Sequence, residues 1–214
     1  MKAPVQQSNF KPVPSGAHTA ILFQLIDLGT QEGEYNGEVK HQRKVRLGFE
    51  IHSDDAVTDD GKPMVIGRTF TLSMYDTAKL RQFIEGWRGT AFDDDAASAF
   101  DFKAMLGKAC ILNVTHNKAS NGKTYANIDS AIRLMKGMAE PVPVNAPVYF
   151  YMGDDETGHS IDEAIYTALP DWMRESIDKS PEYRRAIGLP DPEPKSTQKS
   201  AETADKPFDD EIPF

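Results

Sequence analysis

The sequence predicts a mainly β protein: a five-stranded barrel with a helix between strands three and four, a C-terminal helical extension and an acidic tail. Three observations predict it. Residues 39–51 alternate, with Val45, Leu47, Phe49 and Ile51 on one face and Lys40, Gln42, Lys44 and Arg46 on the other, as a strand with one core face does. Residues 76–87 switch to helical period, with Leu80, Phe83, Ile84 and Trp87 recurring on one stripe before Gly89. Two further apolar runs flank Asn121-Gly122, a strong hairpin-turn signal.

In chain order, residues 1–16 contain Pro4, Pro12, Pro14 and Gly16 without a period and read as an extended arm, which Phe10 is positioned to staple onto the domain. Residues 17–29 are apolar and rich in strand formers, a first strand partly buried on both faces. Residues 30–37 are turn-rich and read as a loop ending in Asn36-Gly37, with Tyr35 its only ring. The second strand spans 39–51. An acidic loop follows from Asp54 to Lys62, then a third strand from Met64 to Tyr75. In it Arg68, Phe70, Leu72 and Met74 share one side, and Thr69, Thr71, Ser73 and Tyr75 the other. Asp76 is a reasonable N-cap for the helix. Residues 91–98 form a loop, 100–106 a short helical turn, 108–117 the fourth strand and 123–134 the fifth.

Three strands, a helix and a closing hairpin is the element order of an OB-fold, a small barrel whose second and third strands and flanking loops bind oligonucleotides. This assigns 17–134 to one domain. Residues 135–147 are Pro-rich and read as a linker, and Val148 to Tyr151 as a short strand. Residues 161–189 read as helices broken near Pro170 and Pro181, with Ile161, Ala164, Ile165, Ala168, Leu169, Trp172, Met173 and Ile177 as an apolar stripe. The segment 135–190 is short to hold a core of its own, so it is expected to pack on the barrel. Residues 191–205 hold no large apolar residue, and 191–214 read as a disordered tether ending in an acidic tip.

Net charge is −9, but its distribution matters more than its total. The acid lies mainly beyond residue 133; residues 191–214 alone carry seven acidic against three basic side chains. Cys110 is the single cysteine, so no intramolecular disulfide forms; it sits in an apolar strand pattern as a core residue. A reducing cytoplasm is the expected compartment. No run approaches the length of a membrane span, and the N-terminal residues lack the apolar core of a signal peptide, so no membrane association is expected.

Enzymatic readings fail on spacing. Gly122-Lys123-Thr124 looks like the end of a P-loop, but the first glycine that motif needs would stand where Asn117 does, and the context is a hairpin. His18, His41, His52, His116 and His159 are scattered, with no metal-ligand spacing. The aspartates at 54–60 and 93–95 do not follow a calcium loop. No catalytic residue, metal or cofactor is expected.

Binding single strands without sequence preference needs cations that track phosphates and rings that stack on bases. Lys40, Lys44 and Arg46 form a stripe with no acid until Glu50. A merely solvated face would mix signs. Arg43 has the opposite parity, at the barrel rim; Arg68 extends the track, and Lys118 and Lys123 flank the last hairpin loop. The candidate rings are Tyr35, Phe70, Tyr75 and Tyr125. Tyr125 is in phase with Lys123 and Asn127, and Phe70 and Tyr75 cannot both face outward.

The last six residues, Asp209-Asp210-Glu211-Ile212-Pro213-Phe214, place three carboxylates before an apolar tip stiffened by Pro213. A pocket for the ring with a basic rim would read such a tip. The motif resembles the acidic C-terminal tip of bacterial-type single-stranded DNA-binding proteins, which recruits replication and repair enzymes. The stretches Leu106-Gly107-Lys108-Ala109-Cys110 and Gly122-Lys123-Thr124-Tyr125-Ala126-Asn127-Ile128 resemble the closing hairpin of phage-encoded single-strand-binding proteins with an OB-fold. The resemblance implies a coat for single-stranded DNA in replication, recombination and repair, in the host bacterial cytoplasm if phage-encoded, with self-association left open. Typical bacterial members lack a segment like 135–190. The alternative is a protein-interaction adaptor whose tail mimics that of the host's single-strand binder.

Overall fold

The computed structural model describes residues 11–35, 37–120, 122–153 and 160–190. The fold is mainly β, an open, largely antiparallel sheet of six strands with short helices. The strands are β1 (Gly16–Tyr35), β2 (Glu38–Ile51), β3 (Val65–Thr71), β4 (Ala109–Lys118), β5 (Thr124–Ile132) and β6 (Val148–Phe150). The helices are α1 (Lys79–Arg88), α2 (Asp94–Ser98), α3 (Glu163–Ala168), α4 (Asp171–Asp178) and α5 (Pro181–Ala186), with a 3-10 turn over Phe102–Met105. Across the sheet the order is β3-β2-β1-β4-β5, and β6 adds to β1 in parallel.

β1 organises the sheet. Its first residues, Gly16 to Ile21, pair with β4, and from Ala20 to Tyr35 it pairs with β2. Register shifts between Leu22 and Gln24 and between Asp27 and Gly29 bend it along the way. The expected loop at 30–37 is therefore corrected: the β1–β2 ladder continues from Thr30 opposite Arg43 to Tyr35 opposite Glu38. This arm has few buried residues, so no hydrophobic alternation marks it as strand in the sequence. β3 stops at Thr71 instead of running to Tyr75. The helix begins at Lys79, not Asp76: the Asp76 carboxylate accepts from Thr77 N, and the N-cap position is Ala78, whose side chain makes no cap bond. Gly89 closes α1 at φ +67°, a left-handed conformation that suits glycine. The expected loop at 91–98 contains α2, capped by Asp93, which accepts from Ala96 N.

The main core lies between the inner sheet face and α1. Phe49, Phe70, Leu47, Ile84 and Leu112 are each at most 1% exposed. The Phe83 ring sits 5.0 Å from Phe70, and Trp87 sits 5.6 Å from Phe49 while donating its indole N–H to Ala109 O. Each such side chain contributes roughly 1.5–3 kcal/mol of burial. Cys110 lies in this core, and burial pushes its thiol far above the usual range.

A second apolar cluster covers the other face of β1. Ile26 and Leu28 pack with Phe150, Met152, Leu169, Met173 and Ile177, seating the extension on the sheet. Two polar clasps hold it. Glu182 at the start of α5 accepts from Thr30 N at 2.8 Å and Thr30 Oγ1 at 2.6 Å. Buried Glu50 on β2 accepts from Val144 N, Asn145 N, Asn145 Nδ2 and His52 Nε2, fixing the Pro-rich linker. Among the described residues no helix is long and apolar enough to cross a membrane.

Candidate nucleic-acid interface

The outward stripe of β2 runs from solvent to beneath the extension. Lys40 is exposed, with Nζ 2.7 Å from Glu38. Lys44 is half-buried, donating to Thr71 Oγ1 and Gln42 Oε1. The Arg46 guanidinium lies 4.8 Å from the Trp172 ring centroid and lies across Gly67 so closely that a Cβ there would meet Nη2 at 2.6 Å. Burial pushes Arg46 down to about 10. Its place opposite Ile26 explains the cover, because Ile26 packs under the extension. The stripe therefore divides into an open part, Lys40 to Lys44, and a roofed part at Arg46.

Arg43 faces the other way. It pairs with buried Asp27 at 2.5 Å, donates to Gly153 O and lies 5.1 Å from the Tyr151 ring centroid. Burial works against its charge, but the Asp27 bond together with the negative charges of Asp27 and Glu182 outweighs this and raises its pKa. Arg68 donates through Nη1 to the carbonyl oxygens of Ile128 and Asp129, each at 2.8 Å, tying β3 to β5. Arg43 and Arg68 thus serve the fold. Phe70 is 1% exposed and belongs to the core, so it offers no face to a base. Tyr75 is 80% exposed.

Tyr75, Lys40, Gln42, Thr71 and Lys79 come together around a groove of about 440 Å³. Its walls are the β1–β2 arm, with Gly33 at its edge, and the connection from β3 to α1. Sequence reasoning missed the arm as a wall because it read 30–37 as a loop. It also missed Lys79, whose signal was its place one residue before Leu80, outside the apolar stripe of α1. Lys118, Lys123 and Tyr125 stand on the β4–β5 hairpin and do not line the groove; the two lysines are exposed, and Tyr125 is half-buried opposite Asn117. The Tyr35 side chain and residues 209–214 lie outside the described residues. Among the described residues no group of three His, Cys, Asp or Glu side chains is arranged to hold a metal ion.

The groove offers an exposed ring beside two ammonium groups, hydroxyl and amide hydrogen-bonders, and the exposed carboxylate of Glu34. The ring and the cations suit a polyanion with planar bases, and Glu34 works against it. Comparison of the chain with protein-family models and with curated proteins finds no match.

Proposed function

We propose that the chain binds single-stranded DNA without sequence preference and takes the strand in the groove between the β1–β2 arm and the β3–α1 connection. The observation that carries the reading is Tyr75, 80% exposed, in one groove with Lys40 and Lys79. Lysines would follow the phosphates and Tyr75 would stack on a base. The strand order, with α1 between β3 and β4, supports an OB-fold whose β3 and β5 edges Arg68 draws together. In this reading the protein coats replication, recombination and repair intermediates, and residues 209–214 recruit enzymes.

One observation favours the alternative, a protein-interaction adaptor. The extension roofs the outer sheet face at Arg46 and Ile26, which removes the middle of the stripe from a straight strand path. Fluorescence anisotropy with labelled oligo-dT separates the two readings. Binding should weaken with salt at a slope of roughly −0.7 per phosphate contacted. The double variant Lys40→Glu, Lys44→Glu should bind more weakly and flatten that slope. No binding at low salt by the intact chain would leave the adaptor reading.

A further inference from the structure

A second cavity, of about 390 Å³, opens on the other side of the β3–α1 connection. Leu72, Ser73, Met74, Phe102, Lys103 and Tyr149 line it. Its size is in the range of small-ligand sites. The rings are not sealed into the core: Phe102 and Tyr149 are half-buried, and the neighbouring Tyr151 is 40% exposed. Phe102 meets Phe100 edge-on, with ring centroids 5.1 Å apart, which fixes its wall. Lys103 is exposed and holds Nζ 4.8 Å from the Tyr149 centroid, at the cavity's edge. Burial leads the influences that raise the Tyr149 hydroxyl, so it stays a neutral donor at physiological pH.

We propose that this cavity receives one unpaired base of the strand whose backbone lies in the groove, with Lys103 on the phosphate of the same nucleotide. The inference rests on the single-strand reading above. Three observations select a nucleotide as occupant. Ser73 lines both cavities, so groove and cavity are adjacent across one residue. The walls are flat rings and a thioether, which accept any base face. An exposed cation, Lys103, stands at the mouth beside the exposed carboxylate of Asp101, while Asp27 on the wall is already paired with Arg43. A strand turning from Tyr75 over Ser73 would thus leave one base stacked outside and the next turned inward.

The test is photo-cross-linking of the full chain to oligo-dT in which one thymine is replaced by 5-iodouracil, with the position varied and adducts mapped by mass spectrometry. Adducts are expected at Tyr75 and, from a different substituted position, at Phe102 or Tyr149. Lys103→Gln, which alters only an exposed side chain, should weaken oligo-dT binding about three-fold or more. It should also deplete the Phe102 and Tyr149 adducts relative to the Tyr75 adduct. Phe102→Ala should remove the inner adducts, with circular dichroism confirming a folded chain. Binding with adducts at Tyr75 and none at 100–103 or 149–151 would overturn the base pocket and leave the groove reading standing. No binding at all would overturn both. A synthetic peptide of residues 208–214 that displaces the inner adducts while sparing the one at Tyr75 would assign the cavity to a peptide and overturn the proposal.

Discussion

Gly29→Ala should unseat the C-terminal extension. Gly29 lies at the bend of β1 with φ +70°. A Cβ there would sit 2.3 Å from Ser180 Cβ, 2.5 Å from Ser180 Oγ and 3.0 Å from Glu182 Oε2. Three costs combine. The left-handed backbone costs a non-glycine residue about 1–2 kcal/mol. Relieving the contact by moving well-packed atoms costs about 1–3 kcal/mol. Shifting α5 also disturbs the two bonds from Thr30 to the Glu182 carboxylate, each worth about 1.5–3 kcal/mol as a bond to a charged group. The local opening of α4 and α5 should therefore become at least about 3 kcal/mol easier, roughly a hundred-fold in population. Trypsin reads this directly, because Lys179, Arg184 and Arg185 lie in the segment. Cleavage there should accelerate by about that factor where opening is fast relative to cutting. Gly107→Ala is the control: φ is +78° but nothing lies within 4 Å of the added Cβ, so it carries the backbone cost alone. Lifting α4 also removes Trp172 from Arg46, so the salt slope of oligo-dT binding should steepen by about 0.7. Equal trypsin sensitivity of the two variants would refute the seating of α5 on the β1 bend.

Tyr75→Ala should weaken oligo-dT binding about five-fold or more, the low end of a base–aromatic stack, while Tyr75→Phe should change it little; anisotropy measures both, and equal losses would point to the hydroxyl. The Glu50 clasp should loosen in acid. Burial works to raise that carboxyl, but the bonds from Val144, Asn145 and His52 outweigh it and hold it below 4.5. A depressed folded value means the stabilisation is complete above about 4.5 and is lost as pH falls through the folded value. Amide exchange at Val144 and Asn145 should therefore accelerate below that pH, and Glu50→Gln should show fast exchange at neutral pH. Deleting residues 208–214 should tighten oligo-dT binding, most at low salt, if their carboxylates compete for Lys40 and Lys79; unchanged affinity at low salt would rule the competition out.

The elements legible in the sequence are those whose two faces differ in residue type. Val45 to Ile51 alternate because one face fills the main core while the other carries Arg46, Gly48 and Glu50, although the extension and linker cover that face too. Leu80 to Trp87 repeat because α1 packs one stripe on the core. The arm from Thr30 to Tyr35 has no such contrast, so its strand character went unread, and with it one wall of the groove. The third strand was read too long for a related reason. Parity allows Phe70 inside with Tyr75 outside, but β3 ends at Thr71, and Tyr75 stands on a turn where parity no longer operates. The site shows a different limit. Lys40 and Arg46 share a strand, a face and a charge, and alternation aims them alike. Lys40 lies open in the groove, whereas Arg46 lies under Trp172, supplied by a helix far along the chain. Local pattern sets the direction in which a side chain points; long-range packing decides whether a ligand can reach it. A basic stripe read from sequence is therefore an upper bound on a binding track, and here packing removes the arginine and keeps the lysines. Lysines at an open groove are point cations without arginine's planar fork, so in the proposed reading they would hold phosphates without fixing their register. That property suits a strand bound without regard to sequence.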